Sequence, residues 1–201
     1  EIKNAAKAGV DINTDVANDS DTAAKSVSVK STVYDKAGDI VSAQTDDIEI
    51  PAGATKTISQ SVEVSNPKLW SVDSPNLYWV RTEIILNGKV VDSTDSRFGI
   101  RYIATDPNSG FYLNGVHTKL NGVCEHSDLG SLGMETYQAA VDRRIRTLKK
   151  YGVNAIRTSH NPVSPEFIEA CDRLGMLVFE EAFDQWLYSK ISDDYHNYFN
   201  K

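Results

Sequence analysis

The sequence predicts two unlike parts: an all-β sandwich over residues 1–102, then alternating strands and helices of a parallel α/β segment over residues 103–201. Three observations predict this. Apolar residues recur at every second position through the first part, the period of half-buried strands. Asn87–Gly88, a pair in which both residues tolerate positive φ, sits between two apolar runs and marks a hairpin. From about residue 118 the order becomes strand, helix, strand, helix, strand, which calls for right-handed βαβ units.

In the first part, Val10, Ile12, Thr14 and Val16 form one alternating row, and Val27, Val29, Ser31 and Val33 form another. Turn formers separate the strands: "NDSD" at 18–21, "DKAGD" at 35–39, "PAG" at 51–53 and "NGK" at 87–89. Several short strands at this spacing, with no helical period between them, read as a sandwich of about 100 residues. Trp70, Tyr78 and Val80 are expected to fill its core or line its edge. "SRFGIRY" reads as the last strand and "ATDPNSG" as a connector.

In the second part, "GFYLNGVHTKLNGVC" reads as a small hairpin around Asn114–Gly115, followed by a strand ending near Cys124. A helix is expected over Glu135–Tyr151, with Tyr137, Val141, Ile145 and Leu148 as its apolar stripe. Arg143, Arg144, Lys149 and Lys150 fall largely off that stripe and are expected on a solvated face, the last turn suiting the helix dipole. Gly152 stops the helix. "VNAIR" is a short strand. Ser164 caps the next helix, with Pro165 at its first position and Phe167, Cys171 and Leu174 as its stripe. Gly175 ends it, and "MLVFEE" is another strand.

The 201 residues carry a net charge of −7, with 40% hydrophobic and 24% charged residues. That balance is ordinary for a globular protein and lacks the basic footprint of a nucleic-acid binder. No apolar run approaches the roughly 20 residues of a membrane helix. The two cysteines, Cys124 and Cys171, form no CxxC pair. Both are expected as small buried fillers, with a disulfide between them left open by sequence alone. No signal peptide opens the stretch, and the compartment stays open: cytoplasm, periplasm and secretion are all compatible.

In parallel α/β folds, ligands bind at the carboxyl ends of the strands. Three such ends are visible. The first carries Glu125, His126, Ser127 and Asp128. The second carries Arg157, Thr158, Ser159, His160 and Asn161. The third carries Glu180, Glu181 and Asp184, with Trp186 just beyond. Histidines, an arginine and an aromatic on one rim suit a polyhydroxylated ligand, whose hydroxyls need many donors and acceptors. Each residue also has a plain use. Arg157 can pair with Glu180 or Glu181, Asp128 can cap a turn, and Ser159 can serve its loop. Adjacent strand residues face opposite ways, so Glu180 and Glu181 cannot both address one ligand atom. His126 and His160 lack the spacing of a metal motif.

"NAIRTSHNPVSPEFIEACDRLGMLVFEE" resembles glycoside hydrolase family 2, which holds β-galactosidases, β-glucuronidases and β-mannosidases. "GFYLNGVHTKLNGVCEHSDLGSLG" resembles its first barrel strand, and "PKLWSVDSPNLYWVRTEI" late strands of its middle domain. The resemblance implies an immunoglobulin-like sandwich over 1–102 and the opening of a (β/α)8 TIM barrel over 103–201. It implies a β-linked oligosaccharide or glycoside as substrate; no cofactor is expected here, although a divalent metal occurs in the family. Arg157 matches an arginine that bonds the catalytic nucleophile, and His126 and His160 match histidines that contact the sugar. Asp128, Asn161, Asp184 and Trp186 complete the implied substrate contacts. Two positions depart from the pattern. Asn161 stands where a tyrosine is frequent, and Gln185 where some members carry a magnesium-ligating glutamate.

Family members use two glutamates, about 5 Å apart in a retaining mechanism. They lie on later barrel strands, the acid/base in an Asn–Glu pair that this sequence lacks. A whole barrel takes about 250 residues, so three of eight strands are expected here. The expectation is therefore a piece of a retaining exo-β-glycosidase, β-galactosidase-like in the wording of "VCEHSDLGSLG", inactive alone. The alternatives are β-glucuronidase or β-mannosidase specificity, a non-catalytic sugar-binding module, and a purely structural sandwich with an α/β appendage. Partners are left as the remainder of a longer chain or a second copy.

Overall fold

A computed structural model of the chain describes residues 6–182. They divide into two compact units, 1–118 and 119–201.

The first unit is a sandwich. Strands β1 (Lys7–Ala17) and β4 (Thr55–Ser65) pair antiparallel. Strands β2 (Lys25–Tyr34), β3 (Ile40–Ile50), β5 (Tyr78–Leu86) and β6 (Lys89–Phe98) form the other sheet in the order β3-β2-β5-β6. The alternating rows do what their period demands. Val27, Val29, Ser31 and Val33 of β2 are all buried, while Ser26 and the turn residues face outward. Asn87 (φ 52°) and Gly88 (φ 76°) make the tight β5–β6 turn.

The core lies in two patches. One joins Val33, Val62, Val64, Tyr78 and Val80; the other joins Val16, Val27, Val29 and Ile50. A polar link is buried between the sheets. Ser31 Oγ donates to Gln60 Oε1 at 2.6 Å, and Gln60 Nε2 donates to Val29 O at 3.0 Å and to Asp46 Oδ2 at 2.8 Å. An amide buried to 2% exposure must find such partners.

Two expectations at the end of this unit need correction. The strand expected through "SRFGIRY" stops at Phe98. Gly99 lies against Trp70, so close that an added Cβ would come within 3.0 Å of the Trp70 Cβ. Trp70 N donates to Ile100 O at 2.8 Å, which turns the chain under the indole. The supposed connector is also structured: β7 (Ile103–Asp106), β8 (Gly110–Leu113) and β9 (Val116–His117) form a meander. Asp106 Oδ1 accepts from Asn108 N and Ser109 N, closing the turn that the "DPNS" composition encodes. Asn114 (φ 54°) and Gly115 (φ 77°) make the next turn, as expected.

The second unit is a parallel sheet in the order β10-β11-β12, with β10 (Gly122–Glu125), β11 (Ala155–Thr158) and β12 (Leu177–Glu180). The register aligns Glu125, Thr158 and Glu180 at the carboxyl ends. Helices α1 (Gln138–Lys150) and α2 (Pro165–Leu174) enclose a core of Val141, Ile145, Ile156, Phe167, Ala170, Cys171 and Met176. Ser164 Oγ accepts from Phe167 N at 3.3 Å, and Gly175 (φ 77°) closes α2 in the left-handed region.

Helix α1 begins later than expected. Tyr137 is its extended N-cap and is 51% exposed, so it leaves the stripe, while Val141 and Ile145 remain in the core. Two of the off-stripe cations are not merely solvated. Lys149 Nζ donates to Leu174 O at 2.7 Å and Gly175 O at 3.0 Å, satisfying carbonyls at the end of α2. Arg144 reaches the first strand end, described below. The cysteine expectation holds for Cys171 alone, where burial pushes the thiol up to about 12. Cys124 is exposed, and both are free thiols.

Asp142 of α1 receives two bonds from Arg173 of α2, at 2.7 and 3.1 Å, and one from Gln138. The Arg173 guanidinium holds the Asp142 carboxyl down at about 2. In an unfolded chain the same carboxyl titrates near about 4. Its contribution is thus complete above about 4 and is lost as pH falls toward 2. Asp142→Asn is expected to cost about 1 kcal/mol at neutral pH, discounted for solvent screening of a partly exposed pair. The gap between variant and unchanged chain in denaturant midpoints should close between pH 4 and the folded value of about 2; a gap that widens on acidification refutes the assignment.

Candidate functional site

The site stands at the carboxyl ends of β10, β11 and β12. On a strand, residues two apart share a face. Cys124, Arg157 and Phe179 are aligned partners across the three strands. Glu181, two residues past Phe179, shares their face. Its backbone N–H donates to the buried Thr158 Oγ1 at 2.9 Å, which anchors the chain as it leaves β12.

The side chains then converge. Arg157 Nε donates to Glu181 Oε1 at 2.5 Å. Glu181 Oε2 lies 3.0 Å from His160 Nδ1, and Arg157 Nη2 lies 3.4 Å from the same nitrogen. The His126 and His160 rings meet edge to face with centroids 6.1 Å apart. The Arg157 guanidinium, followed by the His160 bond, holds the Glu181 carboxyl below the usual carboxylate range. Arg157 Nη1 is 3.6 Å from Cys124 Sγ, and the Ser159 hydroxyl and Arg157 together lower that thiol from its ordinary value. Ser159 itself is 6% exposed, and its backbone N–H donates to Glu125 O at 2.9 Å, tying the second strand end to the first.

Arg144 fixes the first strand end. Its guanidinium lies 2.9 Å from Glu125 Oε2 and donates to the carbonyls of His126, at 3.4 Å, and Asp128, at 2.5 Å. Glu125 therefore does not face a ligand; it holds the arginine that orders the His126–Asp128 loop. Asp128 Oδ1 accepts from Gly130 N at 3.1 Å, the turn-capping use that its sequence permits.

Of the expected site residues, His126, Arg157 and His160 come together. Asp128 and Asn161 are exposed on the adjoining loops. Asp184 and Trp186, and also Gln185, lie outside the described residues. The sequence places Glu181 at the third strand end and allows its pairing with Arg157, which the structure shows, but it assigns no site role to Glu181 or to Arg144. The signal for Glu181 was its strand parity with Phe179; Arg144 offered none, because its target is a loop carbonyl pair.

The cavity beside His126, lined by Asp128, Arg144, Ser164 and Phe167 among others, is about 30 Å³, room for roughly one water. Larger hollows of about 510 and 500 Å³ flank β1 in the sandwich, but neither is lined by histidine or arginine. Among the described residues, no three His, Cys, Asp or Glu side chains are grouped to hold a metal ion.

Known proteins match both parts in order. Residues 1–101 match glycosyl hydrolases family 2, and residues 105–189 match the TIM barrel domain of that family. A beta-galactosidase of Bacteroides ovatus is 40% identical over 195 residues, 97% of this chain and 23% of that protein. A putative beta-glucuronidase of Formosa agariphila is 44% identical over 137 residues, 68% of this chain and 13% of that protein. A crystal structure of a family 2 member from Bacteroides cellulosilyticus superposes with a TM-score of 0.88 at 39% identity, covering 97% of this chain and 25% of that one. The chain thus spans a quarter or less of the length of these relatives. The sandwich is an immunoglobulin-like domain, and the parallel strands that follow are the start of a TIM barrel. With both domains matched in sequence order and the fold shared, the chain belongs to glycosyl hydrolases family 2.

Proposed function

We propose that this chain is part of a retaining exo-β-glycosidase acting on terminal β-linked sugars, with β-galactosides as the substrate class. The observation that carries this is the meeting of Arg157, His160 and His126 at the carboxyl ends of parallel strands, where barrel enzymes bind ligands. His126, Asp128, Arg157, His160 and Asn161, with Asp184 and Trp186 beyond the described residues, are assigned to the substrate. The division proposed is a sandwich over 1–102 and a barrel portion over 103–201; family matches over 1–101 and 105–189 support it, while the compact units part after residue 118. The acid/base and nucleophile carboxylates belong to later barrel strands.

A relative named as a putative beta-glucuronidase supports that sugar as the second candidate. A uronate needs a cation free to receive it. Arg144 is committed to Glu125 and to the carbonyls of its loop, and Arg157 is assigned to the nucleophile, so a uronate would need a cation from the rest of the longer protein. The test is an assay of the full-length protein and of the 201-residue chain on nitrophenyl β-galactoside, β-glucuronide and β-mannoside. Turnover of the galactoside by the full-length protein, and none by the chain, is expected. Turnover by the chain that a substitution within it abolishes overturns the assignment of the acids to later strands.

A further inference from the structure

The histidine of this site can present either a donor or an acceptor to a ligand, and the neighbours of its other nitrogen choose between them. We infer that Glu181 is the positioning residue that makes this choice: its carboxylate holds the His160 proton on Nδ1 and leaves Nε2 as an acceptor for a ligand hydroxyl. The tautomer stands on geometry alone; that the hydroxyl belongs to a sugar rests on the proposed function.

Two groups compete for His160 Nδ1. Glu181 Oε2 is at 3.0 Å and Arg157 Nη2 is at 3.4 Å. A guanidinium only donates and an ionised carboxylate only accepts. A neutral imidazole nitrogen can therefore satisfy one of them and not both. The shorter contact is to the carboxylate, and a hydrogen bond to an ionised acceptor is the stronger kind. Glu181 is also held in place for the task. Its other oxygen accepts from Arg157 Nε, and its backbone N–H is bonded to Thr158 Oγ1, a side chain with 1% exposure. The proton belongs on Nδ1, as it does where a carboxylate orients a working histidine.

The consequence is directional. A hydroxyl bonded to Nε2 must donate to it, so its own oxygen stays free to accept from another group. A ligand carrying fluorine or a methoxy group at that position has no proton to give and is rejected. The site thus selects a free hydroxyl there, through a residue that does not touch the ligand.

Two-bond 1H–15N correlation spectra of the chain, recorded at a pH where the imidazole is neutral, read the tautomer directly. The proton is expected on Nδ1 in the unchanged chain. In Glu181→Leu the acceptor is gone, Arg157 donates to Nδ1, and the two ring nitrogens exchange their shift positions. A proton on Nε2 in the unchanged chain overturns the inference, whether or not the variant folds; so does a folded variant that keeps its proton on Nδ1. Methyl β-galactoside added to the full-length protein, with His160 observed in the same way, tests the sugar reading separately. Signals of His160 that move support it. Signals that stay fixed, with the proton on Nδ1, overturn the sugar reading and leave the tautomer standing.

Discussion

Trp70→Ala is expected to unfold or nearly unfold the sandwich unit, at a cost of about 3–5 kcal/mol against a typical domain stability of about 5–15 kcal/mol. The indole is 2% exposed. It is not a generic filler, because several parts of the chain are arranged around it. Arg101 lies over the ring with its guanidinium carbon 4.9 Å from the centroid. Trp70 N bonds Ile100 O, and Trp70 O accepts from Asn114 Nδ2 at 2.9 Å. Gly99 passes so close that a Cβ there would stand 3.0 Å from the Trp70 Cβ and force a small shift. Truncation leaves a large cavity and removes the surface on which the β6–β7 segment turns. The control is Trp79→Ala. Trp79 stacks on Tyr34 with centroids 5.4 Å apart, at an intermediate position, and an aromatic pair of that kind is worth about 0.5–1.5 kcal/mol beyond its burial. Chemical denaturation followed by circular dichroism ranks the two. A loss at Trp70 no larger than the loss at Trp79 refutes the role given to the indole.

The contrast between these tryptophans shows what a single sequence can disclose. Alternation identified the buried rows of β2, because period two is a property of one strand and needs no partner. It could not say which sheet a strand would join, so the Ser31–Gln60 contact between sheets stayed invisible. The same limit governs the site. His126, Arg157 and His160 were legible, because strand ends in βαβ units share a rim by topology. Arg144 was not, because a helix face can be solvated or can clamp a neighbouring loop, and periodicity does not distinguish the two. The late start of α1 has a similar cause: Tyr137 satisfies the stripe by spacing, yet its extended backbone places it before the first helical turn.

Arg157→Met in the full-length protein is the other large effect, on chemistry and not on folding. It should lower kcat/KM for a β-galactoside by about 100-fold or more, the scale seen when one fixed electrostatic group is removed from a reacting centre. The chain gives the reason. A guanidinium has five N–H donors. Here Nε is committed to Glu181 and one Nη1 hydrogen faces Cys124, so the outer edge of the fork still has donors for a further carboxylate. A nucleophile held there would stay ionised and oriented. Methionine keeps the aliphatic stem against the sheet but frees Glu181, which then has only His160 to face among the described side chains. Arg157→Lys should rescue little, because an ammonium is a point charge and cannot bond Glu181 and a second carboxylate in one plane. A loss mostly in kcat points to the reacting centre, and a loss confined to KM would instead mean that Arg157 only binds sugar. Activity kept within a few-fold of the unchanged enzyme would show that the guanidinium serves the fold alone. Glu181 would then be its structural counterion, and the convergence at the strand ends would lose its catalytic meaning.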